Sequence, residues 1–291
     1  MKQNIQISFD WHLTNNCNFN CIYCHPQIKA VLNKNQKINY SFEQILNAFE
    51  NINKTCHIYM SGGEPFLFPN FIEFCKKITK KHYISINTNL SIPQIVQFVE
   101  SINPKHVVGI YAALHILERE RLNIPVKKFI SDVLMLQQKG FNITVFYVLY
   151  PPLIDRFSED AKILRDSGIK YVAGKIFKGV YKGKLYPDNY SSDEKRKINS
   201  FNNDYKLSKS YLEGDVHFEG MQCDAGKKFF KVEVDGRVRR CASTSDNLGN
   251  LYEGTFVSNV HAEPCTAKRA LCISHCHKYL VNYEKNKSEN T

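Results

Sequence analysis

Residues 15–24 read Asn-Asn-Cys-Asn-Phe-Asn-Cys-Ile-Tyr-Cys and follow the first predicted strand, Ile5–Trp11. The stretch places Cys17, Cys21 and Cys24 within eight residues of one another. A loop at the carboxyl end of a strand is where α/β proteins place their chemistry, and thiolates are soft metal ligands. The stretch therefore predicts an α/β fold with a metal site at the end of its first strand.

Short β-rich runs alternate with helical patterns from residue 4 to about residue 176. Such alternation predicts βαβ units and a parallel sheet. Ser41 followed by Gln44 predicts a capping box at the start of the first helix. The predicted strands are Ile5–Trp11, His57–Met60, Tyr83–Asn87, His106–Ala112, Ile143–Tyr150 and Tyr171–Ile176, and the predicted helices are Phe42–Ile52, Phe71–Lys80, Ile92–Ile102, Val126–Lys139 and Asp155–Asp166.

The alternation stops after residue 181. Residues 182–215 are polar and predict a linker with one short helix, Asp193–Asn202. Alternating runs flank Asp235-Gly236, which predicts a two-residue hairpin turn of type I′. We therefore expect a barrel domain over residues 1–181, the linker, and a small cysteine-rich domain over residues 216–291.

The amino-acid composition of the chain limits the classes of protein to which it can belong. The chain has 291 residues, 43% hydrophobic and 23% charged, which excludes wholesale disorder. A net charge of +11 favours anionic partners, yet no nucleic-acid motif accompanies it, so nucleic acid is an unlikely partner. No stretch predicts a signal peptide or a membrane span. We expect a soluble, cytoplasmic protein without a fused peptide-recognition domain.

Ten cysteines without a secretion signal favour metal binding or catalysis over disulfides. Cys17, Cys21 and Cys24 lack a fourth ligand for tetrahedral zinc, because the adjacent His25 is awkwardly placed to chelate the same ion. A four-iron cube held by three cysteines would keep one iron open. A zinc knuckle and buried structural thiols remain the alternatives. Cys56 and Cys75 are predicted to be buried packing residues.

Three segments together resemble the radical S-adenosylmethionine (radical SAM) superfamily. The first is the Cys17–Cys24 motif, with Tyr23 before its third cysteine. The second is Met60-Ser-Gly-Gly-Glu-Pro65 at the end of the second predicted strand, and the third is Ile86-Asn-Thr-Asn89 at the end of the next. The resemblance covers roughly residues 4–176.

The resemblance implies a partial (β/α)6, TIM-like barrel followed by a small C-terminal β-hairpin and cysteine-rich extension. It implies that Cys17, Cys21 and Cys24 hold a 4Fe–4S cluster with an open iron. S-adenosylmethionine would bind that iron, and its 5′-deoxyadenosyl radical would abstract hydrogen from substrate. The residues that the resemblance assigns to cofactor binding are Tyr23, Gly62, Gly63, Glu64, Asn87 and Asn89.

The C-terminal cysteines predict a second metal site. Cys223 and Cys241 bracket the predicted hairpin, and Cys272 and Cys276 form a second chelating pair, which fits zinc or an iron–sulfur cluster. The pattern resembles the SPASM or shorter twitch extension of radical SAM enzymes, with too few cysteines for two clusters. The resemblance thus implies one auxiliary 4Fe–4S cluster. Cys265 is either an alternative ligand to Cys272 or a free thiol that donates hydrogen.

We therefore expect a radical SAM enzyme that acts on a ribosomally made peptide or a small metabolite. It would take electrons from an external one-electron donor such as flavodoxin or ferredoxin. The alternatives are a nucleic-acid-directed radical SAM enzyme and a non-catalytic zinc or electron-transfer protein. Apart from Cys265, the sequence assigns no catalytic side chain; the histidines near strand ends that could face a cavity are His12, His25, His57 and His115.

Overall fold

The computed structural model describes residues 4–25, 29–32, 40–201, 212, 218–267 and 279–281. Six parallel strands confirm the predicted alternation, each within a few residues of its expected bounds. They are β1 (Ile7–Thr14), β2 (Cys56–Gly62), β3 (Tyr83–Thr88), β4 (Val107–Ala113), β5 (Ile143–Leu149) and β6 (Val172–Ile176).

Helices join these strands. The predicted capping box is present, since the Ser41 side chain accepts from Gln44 N and the Gln44 side chain accepts from Ser41 N. The sequence prediction missed one short helix, Ile116–Arg121, which is α4. The helices are α1 (Phe42–Glu50), α2 (Phe71–Ile78), α3 (Ile95–Ser101), α4 (Ile116–Arg121), α5 (Val126–Gln138), α6 (Phe157–Asp166) and α7 (Ser192–Ser200), with single 3-10 turns at Pro65–Leu67, Pro104–His106 and Pro151–Leu153.

The C-terminal region extends the sheet. After the β7 (Gly179–Tyr181) and β8 (Lys184–Tyr186) hairpin come β9 (Gln222–Cys223), β10 (Phe229–Val232), β11 (Val238–Arg239) and β12 (Glu263–Pro264). Strand β10 pairs parallel with β1, and β11 pairs antiparallel with β10. The order β11-β10-β1-β2-β3-β4-β5-β6 leaves β6 and β11 as the two edges, so the sheet forms a partial, TIM-like barrel.

The turn between β10 and β11 corrects one prediction. The hairpin forms at the expected place, but only Gly236 has a positive φ, of 82°, whereas a type I′ turn needs two such residues. Glu233 N donates to Arg237 O and Gly236 N donates to Glu233 O, at 2.9 Å each, which gives a three-residue loop with glycine in the left-handed position. The Asp-Gly signal therefore locates the hairpin correctly and misidentifies its turn.

Strand β1 places successive residues on opposite faces of the sheet. Its alternate residues Ile7, Phe9, Trp11 and Leu13 are buried in the apolar core, where Trp11 lies 4.8 Å from the Phe49 ring and 5.2 Å from the Phe74 ring. The intervening residues Ser8, Asp10, His12 and Thr14 are polar and belong to the opposite face. The helices thus cover an apolar outer face, while polar residues face the inside. No helix in the described ranges is long and apolar enough to cross a bilayer.

Candidate active site

Cys17, Cys21 and Cys24 line one cavity of about 790 Å³ at the carboxyl end of β1. Cys21 is buried and the other two are half-buried. A turn brings Cys24 back over the loop, since its N–H donates to Cys21 O at 3.1 Å. Burial raises the pKa of Cys17 to about 11 and that of Cys21 further. Without a bound cation these thiols are therefore protonated near pH 7, as buried cysteines are.

The described residues contain no three His, Cys, Asp or Glu side chains placed around a single metal ion. In a 4Fe–4S cube each cysteine binds a different iron, so the sulfurs are spaced more widely than the ligands of one zinc ion. A cluster held by the three cysteines of the loop stays a prediction at this point.

Helix α4, which the sequence prediction missed, holds the cysteine loop from outside. Asn20 N donates to Glu118 Oε1 at 2.6 Å, and the Tyr23 ring stacks on His115 at 5.7 Å. The fully buried Arg119 places its guanidinium 5.6 Å from the centre of the Phe19 ring. The same guanidinium donates to the carbonyl oxygens of Leu114, Asn89 and Leu90. Arg119 thereby ties the cysteine loop to the ends of β3 and β4.

Gly62 and Gly63 allow the end of β2 to run against the cysteine loop. Gly63 N donates to Thr14 O at 2.7 Å, and Glu64 N donates to Asn16 O at 2.8 Å. A Cβ atom on Gly63 would lie 2.1 Å from Asn16 O, and one on Gly62 would lie 2.5 Å from Thr14 O. Only glycine fits either position, so the motif has a packing reason of its own. Both glycines line the cavity.

The Glu64 carboxylate is 1% exposed and accepts three hydrogen bonds from the protein. Oε1 accepts from the Thr88 hydroxyl at 2.7 Å and from Phe66 N at 3.2 Å, and Oε2 accepts from Asn89 N at 2.7 Å. Burial raises its pKa to about 7. Glu64 thus connects the end of β2 to the end of β3 through hydrogen bonds. Its contact with the methionine ammonium group of the cofactor stays a prediction.

Two asparagines at the end of β3 differ in their surroundings. Asn87 lines the cavity. Asn89 also reaches it, but its amide donates to Asn18 Oδ1 at 2.9 Å and accepts from the Ser91 hydroxyl at 2.6 Å. Asn89 therefore connects β3 to the cysteine loop, while Asn87 presents its side chain to the cavity.

Three of the four candidate histidines line the cavity, namely His12, His25 and His115. Burial lowers the pKa of each to about 4, so all three are neutral near pH 7. His57 does not line it; its ring nitrogen lies 2.8 Å from the Ser85 hydroxyl.

A group of charged residues inside the barrel was missed by the sequence prediction. Lys231 of β10 lies 3.4 Å from Asp10 of β1, and Glu233 pairs with Arg239 of β11. Lys175 of β6 faces the same cavity. The signal that could have found them is alternation: polar residues occupy every second position of β1, and Lys231 and Glu233 are likewise two apart.

The C-terminal strands bring three cysteines into one neighbourhood. Cys223 lies on β9, and the adjacent Cys265 follows β12, with its N–H donating to Met221 O at 2.8 Å. Cys241, just after β11, packs against the same small apolar cluster. Burial raises the pKa of Cys223 to about 11, and the other two thiols add to the effect. Cys272 and Cys276 lie outside the described residues.

Comparison with known proteins agrees with the fold and identifies the family. The model of the Radical SAM superfamily matches residues 11–164, more than half of the chain. The structure of anSMEcpe with bound S-adenosylmethionine is similar at a TM-score of 0.58 and 18% identity, covering 94% of this chain and 82% of that one. At such identity the likeness shows the fold.

Streptococcus suis SuiB bound to S-adenosylmethionine is also similar, at a TM-score of 0.60 and 13% identity, covering 86% of this chain and 64% of that one. SuiB bound to the precursor peptide SuiA gives 0.57 at 14% identity and covers 87% of this chain and 65% of that one. An uncharacterised protein of Methanocaldococcus jannaschii is 35% identical over 83 residues, which are 28% of this chain and 27% of that protein. This chain thus spans about a quarter of that relative.

Proposed function

Since the chain belongs to the radical SAM superfamily, we propose that it cleaves S-adenosylmethionine reductively and removes hydrogen from a peptide substrate. A small metabolite is the alternative substrate class. The observation that carries this proposal is the shared cavity: the three loop cysteines and the Gly62–Glu64 segment line the same space. When bound, the cofactor and cluster supply the 5′-deoxyadenosyl radical that abstracts hydrogen.

The chain's own residues have separable tasks in this proposal. Cys17, Cys21 and Cys24 hold a 4Fe–4S cluster in this proposal, and three cysteine ligands leave one of its four irons open. Tyr23, Gly62, Gly63, Asn87 and Asn89 line the cavity where the cofactor binds. Glu64 orients the ends of β2 and β3 through its three hydrogen bonds.

A peptide substrate is supported by structural neighbours of low identity. SuiB has been solved with the precursor peptide SuiA, and anSMEcpe with the Kp18Cys peptide, the latter at a TM-score of 0.55 and 16% identity. Among the described strands, the sheet does not close between β6 and β11, and an extended chain could enter there. An external one-electron donor of the flavodoxin or ferredoxin type would reduce the cluster.

We also propose one auxiliary 4Fe–4S cluster, of the SPASM or twitch type, in the C-terminal region. Cys223 and Cys241 are its first ligands. The proximity of Cys265 to Cys223 supports the alternative in which Cys265 is a third ligand, rather than a free hydrogen donor. The segment with Cys272 and Cys276 would supply the fourth.

The test is anaerobic reconstitution followed by iron and sulfide analysis and an assay for 5′-deoxyadenosine. We expect about eight irons per chain, falling by about half in the triple Cys17, Cys21, Cys24→Ala variant, which forms no 5′-deoxyadenosine. Cys223→Ala with Cys241→Ala should also halve the iron. Cys75→Ala, a buried thiol on α2, is the matched control and should keep both readouts. Cleavage by the triple variant would exclude the proposal, and stoichiometric zinc without sulfide would favour a non-catalytic protein.

Two single variants decide the role of Cys265. If it is a ligand, Cys265→Ala should lower the iron content and Cys272→Ala should not. If it is a free thiol, Cys265→Ala should keep the iron and Cys272→Ala should lower it.

A further inference from the structure

Five cationic side chains line the cavity, against three carboxylates. The cations are Lys175, Lys178, Lys231, Arg237 and Arg239, and the carboxylates are those of Asp10, Glu64 and Glu233. Cationic excess in an enclosed space favours an anionic occupant, because charge in a low-dielectric cavity needs a close partner.

Three of the five cations already have carboxylate partners. Lys231 lies 3.4 Å from Asp10, whose same oxygen accepts from the Ser61 hydroxyl at 3.3 Å. Arg239 pairs with Glu233, and Arg237 pairs with Asp235 at 2.7 Å. These contacts are made between the chain's own residues and leave little attraction for a ligand.

Lys175 differs from these three. Among the described residues, no carboxylate oxygen lies within the 4.0 Å of an ion pair from its ammonium group. Its Nζ atom lies 5.2 Å from the centre of the Phe146 ring, which gives only a cation–π contact. Burial lowers the pKa of this lysine, and Asp10 is the one carboxylate that counteracts the effect.

Stacked aromatic rings restrain Lys175 through its contact with Phe146. Phe146 of β5 stacks on Tyr111 of β4 at 5.3 Å with an interplanar angle of 7°, and Tyr59 of β2 lies 5.6 Å from Tyr111. A stacked platform of this kind restrains the Phe146 ring and therefore the lysine chain that lies over it. Lys175 is thus a restrained side chain inside the barrel, and no carboxylate of the described residues forms an ion pair with it.

We propose that Lys175 binds a carboxylate of the substrate and so anchors it in the barrel. This rests on the proposed function and adds the substrate class: a molecule with one carboxylate, which in a peptide is an acidic side chain or a free C-terminus. The fifth cation, Lys178, has an interaction of its own. Lys175 therefore offers one positive charge, which matches a single negative charge, whereas a phosphate dianion would bury a second charge without a partner. Lys175 is a binding residue in this scheme and takes no part in bond breaking.

The test compares probes that differ in one charge. N-acetylalanine carries a terminal carboxylate, N-acetylaspartic acid α-amide carries a side-chain carboxylate, and N-acetylalaninamide carries neither. Their dissociation constants are measured by ligand-observed NMR on the anaerobically reconstituted protein loaded with S-adenosylmethionine. We expect at least one carboxylate probe to bind at least tenfold more tightly than the neutral amide, which is about 1.4 kcal/mol. The tighter of the two identifies the source of the carboxylate.

Variants assign the preference to Lys175. Lys175→Met keeps the length and removes the charge, and should abolish the preference; Lys175→Arg should retain most of it. The matched control is Lys184→Met on the exposed strand β8, which should leave the preference unchanged. Equal binding of charged and neutral probes by the wild type, or a preference that survives Lys175→Met, would overturn the proposal.

Two further measurements test whether Lys175 binds an anion other than a substrate carboxylate. If Lys175→Met weakens S-adenosylmethionine binding tenfold or more, the lysine serves the cofactor and the proposal is wrong. If methyl phosphate binds more tightly than either carboxylate probe, the substrate class is wrong. Failure of the proposed function is seen separately, as wild-type protein that forms no 5′-deoxyadenosine when reduced, whatever the probes do.

Discussion

Glu64 shows how one buried carboxylate organises the site. Its two oxygens accept three hydrogen bonds from two strand ends, while burial raises its pKa to about 7. The ionised form is therefore held by donors and opposed by desolvation. Because of this balance, the contribution of Glu64 to the stability of the protein should depend measurably on pH.

The first prediction concerns that dependence. Between the ordinary carboxyl pKa and about 7, the folded state binds the proton more tightly than the unfolded state. The contribution of Glu64 to the free energy of unfolding should therefore fall as pH rises through this window and level off above it. The buried histidines His12, His25 and His115, whose pKa values are lowered, contribute in the opposite direction, so the Glu64 part is read from the difference between wild type and variant. Urea unfolding of the metal-free protein at pH 5.5 and 7.5 measures the difference.

Glu64→Gln removes the titrating group and sets an amide against N–H and O–H donors. We expect the part of the pH dependence that Glu64 contributes to vanish, so that the slope of stability against pH becomes more positive than in the wild type, and stability at pH 7.5 to drop by about 1–3 kcal/mol. The exposed Glu100→Gln is the control and should keep the wild-type slope. A Glu64→Gln variant with the wild-type slope would show that another group titrates.

At the scale of elements, the contact between β2 and the cysteine loop depends on Gly63. A methyl group there would lie 2.1 Å from a backbone oxygen, which cannot move without displacing the loop. We predict that Gly63→Ala loses roughly half of the iron after reconstitution, because the loop cysteines no longer converge. The measurement is iron per folded chain, with circular dichroism to check folding.

Gly183→Ala is the matched control for this prediction. Gly183 has a positive φ, of 71°, which Gly63 does not, but nothing lies within 4 Å of a Cβ placed there. This variant should cost about 1 kcal/mol of stability and keep its iron. Full iron content in Gly63→Ala would mean that the loop tolerates the shift.

The sequence was sufficient to predict most strands and helices, but it did not predict which side chains meet inside the barrel. Strands β1–β6 and five helices follow from periodicity, because each buries one apolar face. Helix α4 was missed because Ile116–Arg121 is only six residues long and four of them are charged. Its Arg119 and Glu118 act through backbone atoms distant in sequence, which no local pattern encodes.

The same limit explains the missed residues inside the barrel. Asp10 and Lys231 are 221 positions apart, and they meet only because β10 pairs with β1. The sequence predicted a hairpin there but not its place in the main sheet. The cavity cysteines and glycines were predictable because each motif is local.

At the scale of the whole molecule, the C-terminal region is joined to the barrel through its core. Trp11 is fully buried, and its indole N–H donates to the Tyr252 hydroxyl at 2.7 Å. Phe9 also stacks on Phe230 of β10 at 5.4 Å. The barrel and the strands β10 and β11 therefore share one core, and we expect them to unfold together.

Tyr252→Phe tests this coupling. The change leaves the buried indole N–H without its acceptor and should destabilise the protein by about 1–3 kcal/mol in a single transition. Tyr171→Phe, an exposed tyrosine, should change stability by less than about 0.5 kcal/mol. Two separate transitions in the Tyr252→Phe variant would indicate that the C-terminal strands fold independently.

We propose that S-adenosylmethionine binds an iron held by Cys17, Cys21 and Cys24. The most direct measurement is electron–nuclear double resonance on the reduced protein with S-adenosylmethionine carrying ¹⁵N in its amino group. We predict a ¹⁵N coupling to the reduced cluster. It should be kept in the Cys223→Ala, Cys241→Ala variant and lost in the triple Cys17, Cys21, Cys24→Ala variant. A reduced cluster in the wild type without that coupling, or a coupling that survives in the triple variant, would contradict it.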